Sequence, residues 1–223
     1  MKVEIWSDVV CPWCYIGKRR FESALQQFGP RDAIEVEFRS FELDPNAQLD
    51  DGTGLDERLA RKYGFGLEQA RMLNARVAKA AAGEGLEYRL DIARHGNTMD
   101  AHRLIHLAAT QGLQAAMKER LMAAYFTEGK SIGDHDSLVE LAVEVGLDGE
   151  RARELLAGDE FAEEVHNDER EASELGITGV PFFVINRRYG VSGAQAPEVL
   201  LSALETAWNE AHPTETKPVE AGA

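Results

Sequence analysis

Cysteine is scarce in this chain: its 223 residues include two, Cys11 and Cys14. Two thiols are too few for the disulfide framework of a small secreted protein, and a chain of this length can bury a core without covalent staples. They are also too few to complete a closed zinc site, which needs four ligands. Three interpretations remain open: a redox pair, half of a metal site, or two inert buried thiols.

Basic residues are also few, with 24 Lys and Arg against 39 Asp and Glu, a formal net charge of −15. This charge repels phosphate backbones and anionic membrane surfaces, so we expect no nucleic acid and no membrane as partner. No apolar run approaches the ~18 residues of a membrane span, and Glu4 and Asp8 interrupt the stretch where a signal peptide needs its apolar segment. We therefore expect a cytoplasmic protein, in which closely spaced cysteines are typically catalytic or metal-binding.

The beginning of the chain has the pattern strand, helix, strand. Apolar and polar residues alternate over residues 3–6, apolar residues recur at helical spacing over residues 16–28, and alternation returns over residues 34–41. A strand, a helix and a strand joined by short connections usually form a parallel pair with a right-handed crossover. The sequence thus predicts an α/β protein.

The remainder of the chain is helical first and then returns to strands. Helical periodicity, interrupted by glycines, extends from about residue 44 to residue 176. Residues 182–185 and 189–192 then predict a hairpin with a tight turn between them, and Pro197 is placed for the first turn of a last helix.

This order of elements resembles a thioredoxin fold interrupted by a helical domain, the architecture of the DsbA family. The segments SDVVCPWCYIGK, GITGVPFFVINRRYGVSGAQ and NTMDAHRLIHLA are similar to the cytoplasmic FrnE-type branch of that family. The resemblance implies a thioredoxin-like α/β fold with a large all-helical domain inserted between the second and third strands. The expected parts are a discontinuous thioredoxin-like domain of residues 1–43 and 177–210, an inserted helical domain of residues 44–176, and a disordered tail of residues 211–223.

The spacing of the cysteines supports redox chemistry. At the start of a helix, Cys11 and Cys14 share one face with Cβ atoms about 5–6 Å apart, and a modest adjustment brings the two sulfurs to the distance of a reversible disulfide. Cys11 lies near the unpaired N–H groups and the positive dipole end of the helix, which favour its thiolate, and Pro12 fits the first turn without strain. We expect Cys11 to be the exposed nucleophile and Cys14 to resolve the mixed disulfide.

Neighbouring residues allow more than one interpretation. Trp13 either contacts apolar substrates or covers the start of the helix. His102 and His106 stand four residues apart and could form half of a metal site, although an ordinary helix position is the more common explanation. The acidic segment at Asp134 and His135 is better explained as a helix-capping loop. We expect no bound metal and no bound cofactor besides a redox-active Cys11–Cys14 disulfide.

Pro181, which precedes the third predicted strand, is assigned to the site by the family resemblance. An X-Pro bond is cis in only about 5–6% of cases, so composition alone favours a trans proline before the strand. The resemblance instead implies a cis Val180–Pro181 bond packed against the cysteines, with the N–H and C=O of Val180 free to pair with a substrate backbone. Gly193 follows the last strand on the same rim, where it either lets another backbone approach or forms an ordinary turn.

A third segment, around residue 98, is assigned to the site by resemblance alone. Asn97 or Thr98 can cap the helix that begins near Met99, which is the simplest explanation of both. The resemblance places this segment opposite the cysteines, where His102 would stabilise a thiolate or move a proton.

The leading hypothesis is a cytoplasmic thiol–disulfide oxidoreductase or isomerase acting on thiol- or disulfide-containing proteins or small molecules, as a monomer or a homodimer. The alternative is a glutathione-dependent transferase or isomerase of the type of the kappa-class glutathione transferases and hydroxychromene-carboxylate isomerases, with glutathione as co-substrate. Those relatives generally have Ser at the position of Cys11, so the presence of both cysteines favours redox chemistry. A non-catalytic binding or chaperone module is the third hypothesis.

Overall fold

The computed structural model describes residues 1–48 and 52–213. Its sheet has the strand order β2-β1-β3-β4, in which β1 pairs in parallel with β2 and antiparallel with β3, and β3 pairs antiparallel with β4. The strands are β1 (Lys2–Ser7), β2 (Glu35–Ser40), β3 (Phe182–Ile185) and β4 (Tyr189–Ser192). The parallel pair and the late hairpin are both as predicted.

Seven of the helices that the structure describes follow one another between β2 and β3, which confirms the predicted helical insert. The helices are α1 (Pro12–Gln27), α2 (Leu55–Tyr63), α3 (Leu67–Gly83), α4 (Met99–Ala109), α5 (Gln114–Ala123), α6 (His135–Glu144), α7 (Gly149–Ala157), α8 (Ala162–Glu174) and α9 (Pro197–Ala211), with a short 3-10 turn at Arg31–Ala33 and a π turn at Ala124–Glu128 that continues α5. No helix among these described residues is long and apolar enough to cross a membrane.

The two faces of the sheet are covered by different parts of the chain. On one face, Ile5 and Phe183 pack with the apolar sides of α1 and α9, including Phe21 and Leu204. On the other face, Trp6 packs against α8 and donates its indole N–H to the carbonyl of Asp168, 2.8 Å away. The alternation of apolar residues in β1 is therefore used on both faces, and α8 holds the helical insert against the sheet.

The core of the insert continues into the cysteine pair. Cys11 and Cys14 belong to the same buried cluster as Leu104, Leu121 and Phe126 of the insert. The residues that carry the predicted chemistry are thus packed between the sheet and the insert rather than on an open surface.

Two details of the sequence prediction are wrong. Phe41 does not extend β2, because the Ser40 amide turns to donate to the Asp168 carboxylate, 2.8 Å away, and the strand ends there. Residues 211 and 212, predicted as the start of a disordered tail, are ordered: α9 includes Ala211, and the ring of His212 stacks on Trp208 at 3.9 Å between centroids. Residues 214–223, the rest of the predicted tail, lie outside the described residues.

Candidate active site

The cysteine pair stands at the start of α1, as the sequence predicts. Cys11 is the N-cap residue and Pro12 begins the helix, which places Cys14 in its first turn. Both thiols are free and both residues are buried, with Cys11 only 4% exposed. The expectation of an exposed nucleophile is therefore wrong: the Cys11 thiol lies 3.6 Å from the Val180 carbonyl oxygen, to which it donates, and the loop that carries Val180 covers it.

That loop contains a cis Val180–Pro181 bond, as the family resemblance implies. Its position is fixed from two sides. Pro181 lies against α1 at Gly17, where an added Cβ would be 2.8 Å from the proline ring, and the Gly193 N–H donates to the Pro181 carbonyl at 2.8 Å. Gly193 has φ +79°, a conformation that favours glycine, so the turn role is the one the structure shows.

The residues between the two cysteines have one exposed side chain, that of Trp13, and one backbone carbonyl, that of Pro12, which is bonded to the insert. Trp13 is 42% exposed beside the cysteines, which leaves substrate contact as a hypothesis and is inconsistent with a purely covering role. On the inner side, the Tyr88 hydroxyl donates to the Pro12 carbonyl at 2.7 Å, and the Tyr88 ring stacks on Phe126 of the π turn. The insert thereby supports the first turn of α1 directly.

A buried acid–base pair lies below the motif. The Asp8 carboxylate accepts from the Leu43 amide at 2.8 Å and lies 3.3 Å from Nε2 of His102, and both side chains are fully enclosed. Burial raises the pKa of Asp8, but the bonds from His102 and Leu43 outweigh it and leave the pKa below its usual value. Burial lowers the pKa of His102 despite the neighbouring carboxylate. At neutral pH this pair is an Asp8 anion and a neutral His102 that donates to it.

Lys118 of α5 brings a buried ammonium group to the same place. Its Nζ donates to the Ser7 carbonyl at 2.9 Å, and burial lowers its pKa to about 8 against the opposing charges of Cys14, Asp8 and Cys11. Burial also raises the pKa of Cys14 well above its usual value, and the bond to Cys11 adds to this, whereas the Lys118 charge acts in the opposite direction. Lys118 is thus a cation that favours the Cys14 thiolate.

The segment around residue 98 reaches this cluster through a second carboxyl group. Burial and the neighbouring charges of Glu169 and Asp8 raise the pKa of Glu42 to about 7, and the Thr98 hydroxyl donates to its carboxylate at 3.4 Å. Thr98 is the N-cap residue of α4 but makes no side-chain capping bond; Asn97, one residue earlier, supplies it, since its side-chain oxygen accepts from the Met99 amide at 2.8 Å. Asn97 therefore has the predicted capping role, and Thr98 faces the buried cluster.

Comparison with known proteins identifies the family at this point. A family model described as a DSBA-like thioredoxin domain matches residues 2–205. The chain belongs to the DsbA-like family. It is 49% identical to a probable DsbA oxidoreductase from Streptomyces coelicolor, whose crystal structure superposes with a TM-score of 0.90 and covers 100% of this chain and 95% of that one.

Two other relatives extend the comparison. An uncharacterized protein of Bacillus subtilis, YwbO, is 30% identical over 206 residues, 91% of this chain and 94% of its own. A structure of the cytosolic disulfide reductase DsbM from Pseudomonas aeruginosa with GSH has a TM-score of 0.65 and 20% identity, covering 94% of this chain and 100% of that one. At that identity the likeness shows a shared fold.

Several residues of this DsbA-like site were missed by sequence reasoning. Lys118 gave a weak signal, because it lies four residues before the buried Met122 on one stripe of α5, where a charged residue is unusual. Gly17 in the interior of α1 likewise signals a close approach. Asp8 lies three residues before Cys11, but its role depends on His102 and Leu43, which the fold brings to it from elsewhere in the chain.

The metal hypotheses find no support in the part of the chain that the structure describes, which contains no group of three or more His, Cys, Asp or Glu side chains able to hold an ion. His102 faces Asp8, whereas His106 lies 3.2 Å from Asp168. Asp134 caps α6 by accepting from the Ser137 amide at 2.9 Å, which is the capping loop that the sequence predicts.

Proposed function

We propose that this DsbA-like protein is a thiol–disulfide oxidoreductase in which Cys11 is the nucleophile and Cys14 the resolving thiol. The observation that carries the proposal is the placement of two free thiols at the start of α1, one of them bonded to the carbonyl that precedes the cis proline. The start of a helix favours the thiolate, and i, i+3 spacing permits a disulfide between the two.

The reaction proceeds through two exchanges. The Cys11 thiolate attacks one sulfur of a substrate disulfide, forms a mixed disulfide with it and releases the other substrate sulfur as a thiolate. The Cys14 thiolate then attacks the Cys11 sulfur, releases the second substrate thiolate and closes the Cys11–Cys14 disulfide. Two electrons pass from the protein dithiol to the substrate, and the two thiol protons end on the two product thiols. The reverse sequence oxidises a substrate dithiol.

The second exchange requires the buried Cys14 to lose its proton, and Lys118 supports that step. A thiolate formed at Cys14 is separated from water, so its stability depends on the charges around it. The ammonium group of Lys118 is the cation that lowers the pKa of Cys14, opposing the effect of burial. Lys118 acts through Cys14 and is a positioning residue in this proposal rather than a catalytic one.

The surface around Cys11 supplies the substrate contacts. In this proposal, a substrate segment lies along the cis-proline loop and pairs with the backbone of Val180, while Trp13 contacts its apolar side chains. Gly193 contributes indirectly, because its N–H is already bonded to the Pro181 carbonyl. Since Cys11 is covered by the Val180 carbonyl, substrate binding must displace this contact before the thiolate can attack.

Glutathione enters the proposal as a thiol of the chemical class that can reduce the Cys11–Cys14 disulfide. The structure of the Pseudomonas aeruginosa disulfide reductase that contains GSH supports this choice. A glutathione-dependent transferase or isomerase needs neither a second thiol nor a change of oxidation state. The presence of Cys14 in the same buried cluster as Cys11 therefore favours redox exchange over that alternative.

A test separates the three hypotheses. The reduced wild type is mixed with a disulfide-bonded protein, and loss of the substrate disulfide is followed beside the Cys11→Ser and Cys14→Ser variants. We expect no reduction with Cys11→Ser and a trapped mixed disulfide with Cys14→Ser. Turnover of glutathione that survives Cys14→Ser would favour the transferase or isomerase, and substrate binding unaffected by Cys11→Ser without any exchange would favour a binding module. Equilibration of the pair with glutathione buffers gives its reduction potential and hence the direction.

We also propose the cytoplasm as the compartment and the FrnE-type branch as the subfamily. The cytosolic disulfide reductase of Pseudomonas aeruginosa, which shares the fold, is consistent with a reducing compartment. The domain division of residues 1–43 with 177–210 and residues 44–176 is supported by the helices that lie between β2 and β3.

A further inference from the structure

The first two helices of the insert form a pair with little buried surface. We call α2, α3 and their connection, residues 55–83, the arm. None of the residues of α2 is buried, although the helix is amphipathic, and α3 is the element on which it packs. Three apolar side chains of the arm are exposed to solvent: Tyr63 to 56%, Leu67 to 37% and Met72 to 67%. The arm therefore presents an apolar surface that the described part of this chain leaves uncovered.

The charge of the arm is opposite to that of the protein. The arm contains six basic and three acidic side chains, a net charge of +3, whereas the other residues contain 18 basic and 36 acidic ones, a net charge of −18. Arg76 and Lys79 are exposed and form no ion pair with any described residue. On this protein an acidic, apolar partner is attracted by the basic and apolar arm. The remaining acidic surface repels such a partner, so its binding is directed to the arm.

One end of the arm reaches the candidate active site. Near the end of α3, Ala81 lies in one buried cluster with Cys11 and Cys14. From Ala81 to Leu67, α3 is about 21 Å long at 1.5 Å per residue. An extended peptide of about six residues at ~3.3 Å each has the same length.

We propose that the arm binds an acidic, apolar segment of the polypeptide that carries the substrate disulfide, so that acidic polypeptides are the preferred substrates. This inference rests on the proposed function in one respect, namely that the bound polypeptide carries a disulfide on which the protein acts. The binding itself requires only the arm. Apolar side chains of the segment pack on Tyr63, Leu67 and Met72. Its carboxylates face Arg76 and Lys79, in the half of α3 that ends near the buried Ala81.

Binding is measured on the full chain with both cysteines changed to serine, so that no exchange takes place. The probes are two fluorescent twelve-residue peptides with the same three Leu residues: one carries four Asp or Glu, and the other has Gln at those positions. We expect the acidic peptide to bind about tenfold more tightly at low salt, and the ratio to fall toward one in high salt. Tighter binding of the neutral peptide would overturn the proposal, since it would mean that repulsion by the net negative charge of the protein outweighs attraction by the arm.

A charge-reversed arm and a matched control locate the binding. Arg76→Glu with Lys79→Glu should lower the affinity for the acidic peptide about tenfold and leave the neutral peptide within twofold. Arg153→Glu with Arg170→Glu changes the net charge equally on α7 and α8, which pack on other elements, and should have less than a third of that effect. Equal effects of the two pairs would contradict the proposal.

Two further measurements distinguish a failure of this inference from a failure of the proposed function. The same peptides with an added disulfide are offered to reduced wild type: binding at the arm without reduction would reject the proposed function alone, and reduction with no dependence on Arg76 and Lys79 would reject the arm alone. Sedimentation of the wild type tests whether a second copy of this chain covers the arm instead of a substrate segment. A dimer that Met72→Asp dissociates would show that a second copy covers the arm and would overturn the proposal.

Discussion

Two groups of buried charges are attached to β1 and the turn that follows it, and they differ in what neutralises their carboxylates. The Glu4 carboxylate is held by the guanidinium groups of Arg39, 2.6 Å away, and Arg187. The Asp8 carboxylate, four residues later, has the neutral His102 and a backbone amide as its partners. We refer to the two as the Glu4 group and the Asp8 group, the latter including Lys118 and Glu42.

The two groups respond differently to pH near neutrality. Burial raises the pKa of Glu4, but the bonds from Arg187 and Arg39 leave it below its usual value, and arginine stays charged throughout. In the Asp8 group, Lys118 has a pKa of about 8 and Glu42 of about 7. The difference shows that this fold keeps its charges constant where it attaches the insert to the sheet, and variable where it meets the thiols.

The largest expected effect comes from breaking the Glu4 group. Arg39→Met removes partners from Glu4 and from Asp168, which Arg39 contacts at 2.9 Å. Removing one charged partner from each of two buried carboxylates, which keep Arg187 and the Ser40 amide, should lower the free energy of unfolding by about 3 kcal/mol in urea titrations. The pH dependence of disulfide exchange should keep its midpoint. Arg188→Met, at a side chain that is 69% exposed, is the control, and equal stability of the two variants would contradict the structural role of the group.

An intermediate effect of opposite sign is expected in the Asp8 group. Lys118→Met removes a buried ammonium group whose pKa has fallen from 10.5 to about 8. At pH 7 the variant should be more stable than the wild type by about 2 kcal/mol, after allowing for the lost bond to Ser7. From pH 8 to 10.5 the unfolded wild type binds more protons than the folded one, so the wild type gains stability and the difference closes.

The same variant should slow the second exchange about tenfold, because Cys14 loses its neighbouring cation. Quenched-flow decay of the mixed disulfide measures this step. Lys18→Met is the matched control: Lys18 is also buried but bonded to Glu22 at 2.5 Å and to Glu119 at 2.6 Å, so its loss should destabilise the protein. A Lys118→Met variant that is less stable and equally fast would show that Lys118 belongs with the structural charges.

The smallest effect is expected at Glu42. Its pKa is raised from 4.5 to about 7, so the folded protein holds a proton that the unfolded chain has lost, and wild-type stability falls as the pH rises from 4.5 to 7. Glu42→Gln should match the wild type at pH 4.5 and exceed its free energy of unfolding at pH 8 by about 1 kcal/mol, which is the ~3 kcal/mol of a shift of this size reduced for solvent screening. Glu174→Gln, at an exposed position, is the control, and a difference that does not change with pH would contradict the assignment.

The features that depend on local sequence patterns could be predicted from the sequence. Alternation predicts the strands, the glycines and Pro197 mark the ends of helices, and the placement of Cys11 and Cys14 at a helix start follows from the short strand before them. The cis Val180–Pro181 bond followed from family resemblance and not from composition.

What the sequence could not supply is contact between distant residues. Lys118 is 104 positions from Cys14, and its pKa depends on burial that no local pattern reports. Cys11 was expected to be exposed because its helix position is exposed in isolation, whereas the loop of Val180 covers it from 169 positions away. The charge contrast of the arm was present in the sequence, but it acquires meaning only when α3 is placed beside α1.

Because Gly17 packs against Pro181, the residues that are tolerated at these two distant positions depend on each other. Any side chain at position 17 would press on the proline ring, from which an added Cβ would be 2.8 Å away, so a larger residue there requires a compensating change in the loop. A mutational library that randomises position 17 alone should recover glycine, whereas a library that also varies the loop around Pro181 can recover larger residues there.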